Sequence, residues 1–78
     1  MRRTFWIYGT GTCPYCDKAK ELLESHGFGV VYIDVNATPN ARDPSWKTVP
    51  QIFEVRNYIG GYQNLLNYLQ SELEAGNV

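Results

Sequence analysis

Hydrophobic and polar positions fall into short blocks whose period switches between two and three to four residues. Residues 4–8 (TFWIY) form a β-branched and aromatic run that ends on glycine, which predicts a buried strand. Gly9-Thr10-Gly11-Thr12 reads as a flexible turn leading to Cys13. Over residues 15–26 the spacing is helical. Cys16, Ala19, Leu22, Leu23 and His26 fall on one side; Asp17, Lys18, Lys20, Glu21, Glu24 and Ser25 fall elsewhere. Pro14 suits the first helical turn, where a missing N–H costs nothing, and Gly27 is a natural stop. Residues 30–35 predict a second strand. Strand, helix and strand at this spacing make a βαβ unit with parallel strands and a right-handed crossover.

The next stretch, residues 36–47, shows the weakest pattern. Pro39 and Pro44 stand too close together for a long helix to fit between them. Asp43-Pro44-Ser45-Trp46 resembles a cap, a proline at the first helical position and one short turn, with Trp46 covering the edge of the core. Residues 51–55 (QIFEV) predict a third strand, Arg56-Asn57 a tight turn in which Asn57 tolerates a positive φ, and Tyr58-Ile59 a short fourth strand. Gly60-Gly61 breaks that strand, as a loop needing unusual φ or close backbone approach. Residues 62–74 predict a second helix with Tyr62, Leu65, Leu66, Leu69 and Leu73 on one stripe, and residues 75–78 are expected to fray.

Composition narrows the class. With 78 residues the chain is one small domain, and 44% hydrophobic content with six Tyr, three Phe and two Trp is enough for a core without a staple. A net charge of −1 lacks the basic footprint of a nucleic-acid or anionic-membrane partner. Arg2 and Arg3 before the apolar run suggest a signal peptide, but the run stops at Gly9, too short for an h-region. The expected setting is a reducing, cytoplasmic one, where two close cysteines are catalytic or metal-binding rather than structural.

Those cysteines are Cys13 and Cys16, at the start of the first helix. A helix N-terminus offers unpaired N–H groups and partial positive charge, which stabilise a thiolate on Cys13 and lower its pKa. Cys16 lies one turn further in, more covered. Cys13 is therefore the expected nucleophile and Cys16 the resolving thiol, joined in a redox-active disulfide. A structural disulfide over so short a spacing constrains little chain. Structural zinc needs four ligands, and only Cys13, Cys16 and His26 are candidates; His26 reads better as a residue of the helix C-terminus. Lys18 and Lys20 read chiefly as a solvated face.

With Cys13-Pro14-Tyr15-Cys16, Thr48-Val49-Pro50-Gln51-Ile52-Phe53 and Gly60-Gly61 in order, the chain resembles a dithiol glutaredoxin over residues 5–69, of the small phage or bacterial kind. The resemblance implies a single α/β domain over residues 1–78 with the thioredoxin-like fold: a four-stranded mixed sheet, helices on both faces, and the middle helix shortened. It implies a cis Val49–Pro50 peptide and glutathione as co-substrate, with no metal and no tightly bound cofactor. The Val49 backbone would pair with the glutathione cysteinyl main chain, flanked by Thr48 and Pro50. Tyr15, with Thr10, Thr12 and Pro14 nearby, would border the groove. Gly61, Tyr62, Gln63 and Asn64 would offer N–H groups to the γ-glutamyl carboxylate.

Three departures stand out. Thr10 occupies a position where many glutaredoxins carry lysine. Gln63 and Asn64 stand where an aspartate pair is frequent. Residues 36–47 are shorter than usual. The first two predict weaker glutathione affinity, each missing charge-assisted contact being worth on the order of 1–3 kcal/mol. The activity implied is reduction of protein disulfides or glutathionylated proteins by a monomer, ribonucleotide reductase being one substrate by family analogy. A redoxin fed by thioredoxin reductase is the near alternative. An iron–sulfur binding module is the distant one, and Pro14 argues against it.

Overall fold

The computed structural model describes residues 3–76. Strand β1 (Thr4–Gly9) leads into helix α1 (Pro14–Ser25), strand β2 (Gly29–Asp34), a 3₁₀ turn (Pro39–Ala41), strands β3 (Gln51–Glu54) and β4 (Asn57–Gly60), and helix α2 (Tyr62–Gly76). The sheet order is β2-β1-β3-β4. β1 and β2 run parallel, as the βαβ reading requires, and β1/β3 and β3/β4 run antiparallel. This is the thioredoxin-like arrangement.

Alternation along β1 decides which face is buried. Phe5, Ile7 and Gly9 are buried and the residues between them are half-exposed. Phe5 and Ile7 join Ala19 and Leu23 of α1, Ile52 of β3, and Leu65 and Leu69 of α2 in one cluster. Both α-helices therefore cover the same face, which corrects the expectation of helices on both faces. The opposite face carries the loop around Trp46. There Tyr8 packs against Trp46 and edge-on to Phe53, with ring centres 5.1 and 5.6 Å away, and Phe53 continues to Tyr58 at 5.2 Å. The prolines explain the missing helix: with Pro39 and Pro44 interrupting the segment, only single turns form. One of these is the expected turn capped by Asp43, whose carboxylate accepts from Ser45 N–H at 2.8 Å.

Three further expectations shift. His26, placed on the helix's apolar side by periodicity, is exposed; its Nδ1 bonds the Leu22 carbonyl at 2.8 Å and its ring stacks on Phe28. Helix α2 continues to Gly76, past the expected start of fraying; the side chain of Leu73, and residues 77–78, lie outside the described residues. The β3–β4 turn falls one residue early, at Val55-Arg56, because Glu54 already pairs with Asn57. Val55, not Asn57, takes the positive φ, at 56°.

A β-branched residue in the left-handed region costs roughly 1–2 kcal/mol. Val55 is 66% exposed, so it recovers little of that by burial. Val55→Gly is expected to raise the melting temperature by roughly 5 °C, read by circular dichroism.

The far end of the sheet is tied by Arg3. Its Nε and Nη2 donate to the two Glu54 oxygens at 2.5 and 2.6 Å, Tyr68 OH donates to the same carboxylate at 2.6 Å, and the guanidinium lies over the rings of Phe5 and Phe28. The hydrogen bonds from Arg3, and secondarily from Tyr68, hold the Glu54 carboxyl below the usual carboxylate range against the opposing effect of burial. A depressed carboxyl contributes stability above its unfolded pKa, near 4.5, and loses it as pH falls through its lower folded value. Unfolding titrations of Glu54→Gln are expected to show lower stability at neutral pH and a flatter decline below pH 4.5 than the parent.

Candidate functional site

The site grows from the junction of β1 and α1. Cys13 is the N-cap of α1, extended at φ −103° and ψ 106°, and its Sγ accepts the Cys16 N–H at 3.1 Å. Cys13 and Cys16 form a disulfide, with Cα atoms 5.2 Å apart. The exposure of the two differs as expected: Cys16 is fully buried and Cys13 is 8% exposed. The Cys13 sulfur thus meets both a backbone donor and the partial positive charge of the helix terminus, the two features that favour a thiolate at such a position.

Two backbone segments face this corner. The Val49–Pro50 peptide is cis. Gln51 holds the segment from behind: its Nε2 donates to the Thr48 carbonyl at 3.0 Å, while its Oε1 accepts from Tyr58 OH at 2.5 Å. Gly60 then turns the chain into α2 at φ +118°, with Asn64 packed so closely that a Cβ on Gly60 would sit 2.9 Å from Asn64 Nδ2. The first helical bond of α2 runs from Leu65 N–H to the Gly61 carbonyl. The N–H groups of Tyr62, Gln63 and Asn64 precede it and have no intrahelical partner.

Between these segments lies a groove of about 340 Å³ lined by Tyr15, Thr48, Val49, Pro50, Gly61, Tyr62, Gln63 and Asn64. Tyr15 and Tyr62 meet across it with ring centres 5.8 Å apart, and Lys18 Nζ sits 5.1 Å from the Tyr15 ring. None of the eight lining side chains is charged. The structure thus gathers eight of the residues singled out from sequence. Thr10, Thr12 and Pro14 do not line the groove: Thr12 and Pro14 are exposed on the loop and first turn, and Thr10 offers its carbonyl to Tyr32 OH at 2.6 Å. His26 sits at the other end of α1, about 18 Å along a 12-residue helix, too far to join the cysteines around a metal.

Sequence reasoning missed three supporting residues. Gly9, read as part of a flexible turn, ends β1 directly under the disulfide; a Cβ there would lie 2.6 Å from Cys16 Sγ and 2.8 Å from Tyr32 OH. Tyr32 reaches across from β2, and Gln51 braces the Thr48 loop. The glycine before the cysteine loop was a usable signal for Gly9. Nothing in the strand patterns distinguished Tyr32 or Gln51 from ordinary sheet residues.

A dithiol at a helix N-terminus on a thioredoxin-like sheet defines the class: this is a thiol–disulfide oxidoreductase. Comparison with known proteins narrows it. The glutaredoxin family model matches residues 6–59. Glutaredoxin 1 of Escherichia coli K12 is 32% identical over 81 residues, covering 88% of this chain and 95% of its own; glutaredoxin 3 of the same strain is 39% identical over 64 residues, covering 76% and 77%. The solution structure of glutaredoxin from Brucella melitensis superposes with a TM-score of 0.74 at 33% identity, covering 92% of this chain and 85% of its own. The glutaredoxin-like NrdH-redoxin of E. coli shares the fold, with a TM-score of 0.70 at 24% identity over 85% of this chain and 93% of its own. The chain belongs to the glutaredoxin family.

Proposed function

We propose that this glutaredoxin reduces protein disulfides and glutathionylated proteins as a cytoplasmic monomer, with glutathione as its reductant. The observation that carries the reading is the uncharged groove bordered by Tyr15, two residues after Cys13 in the first turn of α1, which has the form needed for a short extended thiol peptide. One wall is the exposed edge of the residues before β3, where the Val49 main chain pairs with the cysteinyl backbone as a strand is added to a sheet. The other end is the start of α2, whose N–H groups receive the γ-glutamyl carboxylate. Tyr15 and Tyr62 close the sides.

In the reaction, the Cys13 thiolate attacks one sulfur of the target disulfide, and the other sulfur leaves and takes up a proton. Cys16 then attacks Cys13 Sγ and releases the reduced target. Glutathione reopens the Cys13–Cys16 bond at Cys13, and a second glutathione removes the first as oxidised glutathione. The neutral Gln63 and Asn64 leave the ligand's ammonium without a carboxylate partner in the groove, so the affinity for glutathione is low for the family.

That neutral lining favours one second reading, a redoxin reduced by thioredoxin reductase, whose fold the chain shares with NrdH-redoxin. The oxidised protein is to be given, separately, glutathione with glutathione reductase and NADPH, or thioredoxin reductase with NADPH. Recovery of both thiols with glutathione is the expected result. Recovery with thioredoxin reductase alone would replace the proposal with the second reading.

A further inference from the structure

The least explained polar group near the disulfide is the hydroxyl of Tyr32. It donates to the Thr10 carbonyl at 2.6 Å, so it closes the back of the loop that carries Cys13. It also shares one small space with the resolving sulfur. The point where a Gly9 Cβ would sit is 2.8 Å from Tyr32 OH and 2.6 Å from Cys16 Sγ, so hydroxyl and sulfur border the same position, left empty by the glycine.

Cys16 has a difficulty that Cys13 does not. Cys13 has the helix terminus and the Cys16 N–H to stabilise its charge. Cys16 is fully buried, and a charge on a buried sulfur is costly unless a donor meets it. The charged groups near Tyr32 are Asp17 of α1 and Asp34 of β2, both acidic; β1 presents Ile7 and Gly9, which do not titrate. Burial first, then Asp17 and Asp34, raise the Tyr32 pKa, so the phenol stays protonated and remains a donor.

We propose that Tyr32 is a positioning residue for the resolving step, turning its hydroxyl proton from the Thr10 carbonyl to Cys16 Sγ as that sulfur becomes a thiolate. The inference rests on the assignment of Cys16 as the resolving thiol. In the step, Cys16 Sγ attacks Cys13 Sγ of the mixed disulfide. The Cys13–Cys16 bond forms and the Cys13–target bond breaks. The electron pair leaves on the target sulfur, which is reduced and takes up the proton that Cys16 gave up.

Tyr32→Phe keeps the ring and removes only the donor. Its reduction of a protein disulfide, a reaction that needs both cysteines, is expected to fall about tenfold at pH 7 and to recover about one pH unit higher. The pKa of Cys16 in the reduced protein, followed by NMR of ¹³C-labelled cysteine, is expected to rise by about one unit. In the Cys16→Ser background, which has no resolving step, removal of glutathione from a glutathionylated peptide should change by less than about twofold on adding Tyr32→Phe. An equal fall in both reactions, or an unmoved Cys16 pKa, would overturn the proposal and leave Tyr32 a loop anchor. Full protein-disulfide reduction by Cys16→Ser alone would instead overturn the assignment of Cys16 on which it rests.

Discussion

Cys13→Ser is expected to abolish thiol–disulfide exchange, lowering the rate with any disulfide substrate by at least about a thousandfold. The reason is local to the helix terminus. At neutral pH the nucleophile must be a thiolate, and Cys13 is the sulfur that meets both a backbone donor, the Cys16 N–H at 3.1 Å, and the open end of α1. A serine hydroxyl in the same place neither ionises in the working range nor attacks sulfur. Cys16→Ser is expected to behave differently. Protein-disulfide reduction stops at the mixed disulfide, whereas deglutathionylation, which needs one thiol, continues. Rates with an insulin-type disulfide and with a glutathionylated peptide, measured for both variants, separate the roles. Substantial activity in Cys13→Ser would refute its assignment as nucleophile.

Gly9→Ala is expected to damage both stability and activity although it adds a single methyl. Its backbone conformation is ordinary strand, so alanine meets no φ penalty. The methyl itself has no room: it would sit 2.6 Å from Cys16 Sγ, 2.8 Å from Tyr32 OH and 3.0 Å from Cys16 Cβ. The strand cannot move away, because Gly9 pairs with Asp34 of β2 and its carbonyl accepts the Val35 N–H at 2.8 Å. Relief must come from the helix terminus or the tyrosine. Overpacking of this kind costs about 1–3 kcal/mol, which corresponds to a drop of roughly 10 °C in melting temperature for a domain this small. Because the displaced atom is the sulfur of Cys16, to which the proposed mechanism gives the resolving step, activity with protein disulfides should fall more than activity with glutathionylated peptides. A variant with unchanged melting temperature and unchanged activity ratio would show that the disulfide floor is more yielding than this packing implies.

The two changes mark how differently parts of the site can be read. The Cys13–Cys16 redox pair was legible because it depends on local chemistry: a spacing of three, a proline at the first helical position, a strand before and a helix after. The eight residues of the groove were legible only as three separate motifs, through likeness to a family. Tyr32 and Gln51 were not legible, and Gly9 only as a glycine before the cysteine loop, since their importance lies in what other elements bring against them. The turn after β3 was misplaced by one residue for a similar reason. Propensity favoured Asn57 for a positive φ, but the pairing of Glu54 with Asn57, with Glu54 held by Arg3 and Tyr68, put Val55 there instead.

Short-range physics carried the element order, the βαβ start, the redox pair and the loss of a middle helix between Pro39 and Pro44. Each rests on periodicity, capping or a missing N–H, which act within a few residues. The packing of the sheet decided the rest. It placed both helices on one face and left an aromatic row on the other. It brought Thr48, Val49 and Pro50 against the start of α2 to form the groove. It also set the Tyr32 hydroxyl beside Cys16 across an empty position at Gly9. These are contacts between residues far apart in sequence, selected by steric fit and hydrogen bonding in three dimensions, and periodicity along the chain does not encode them.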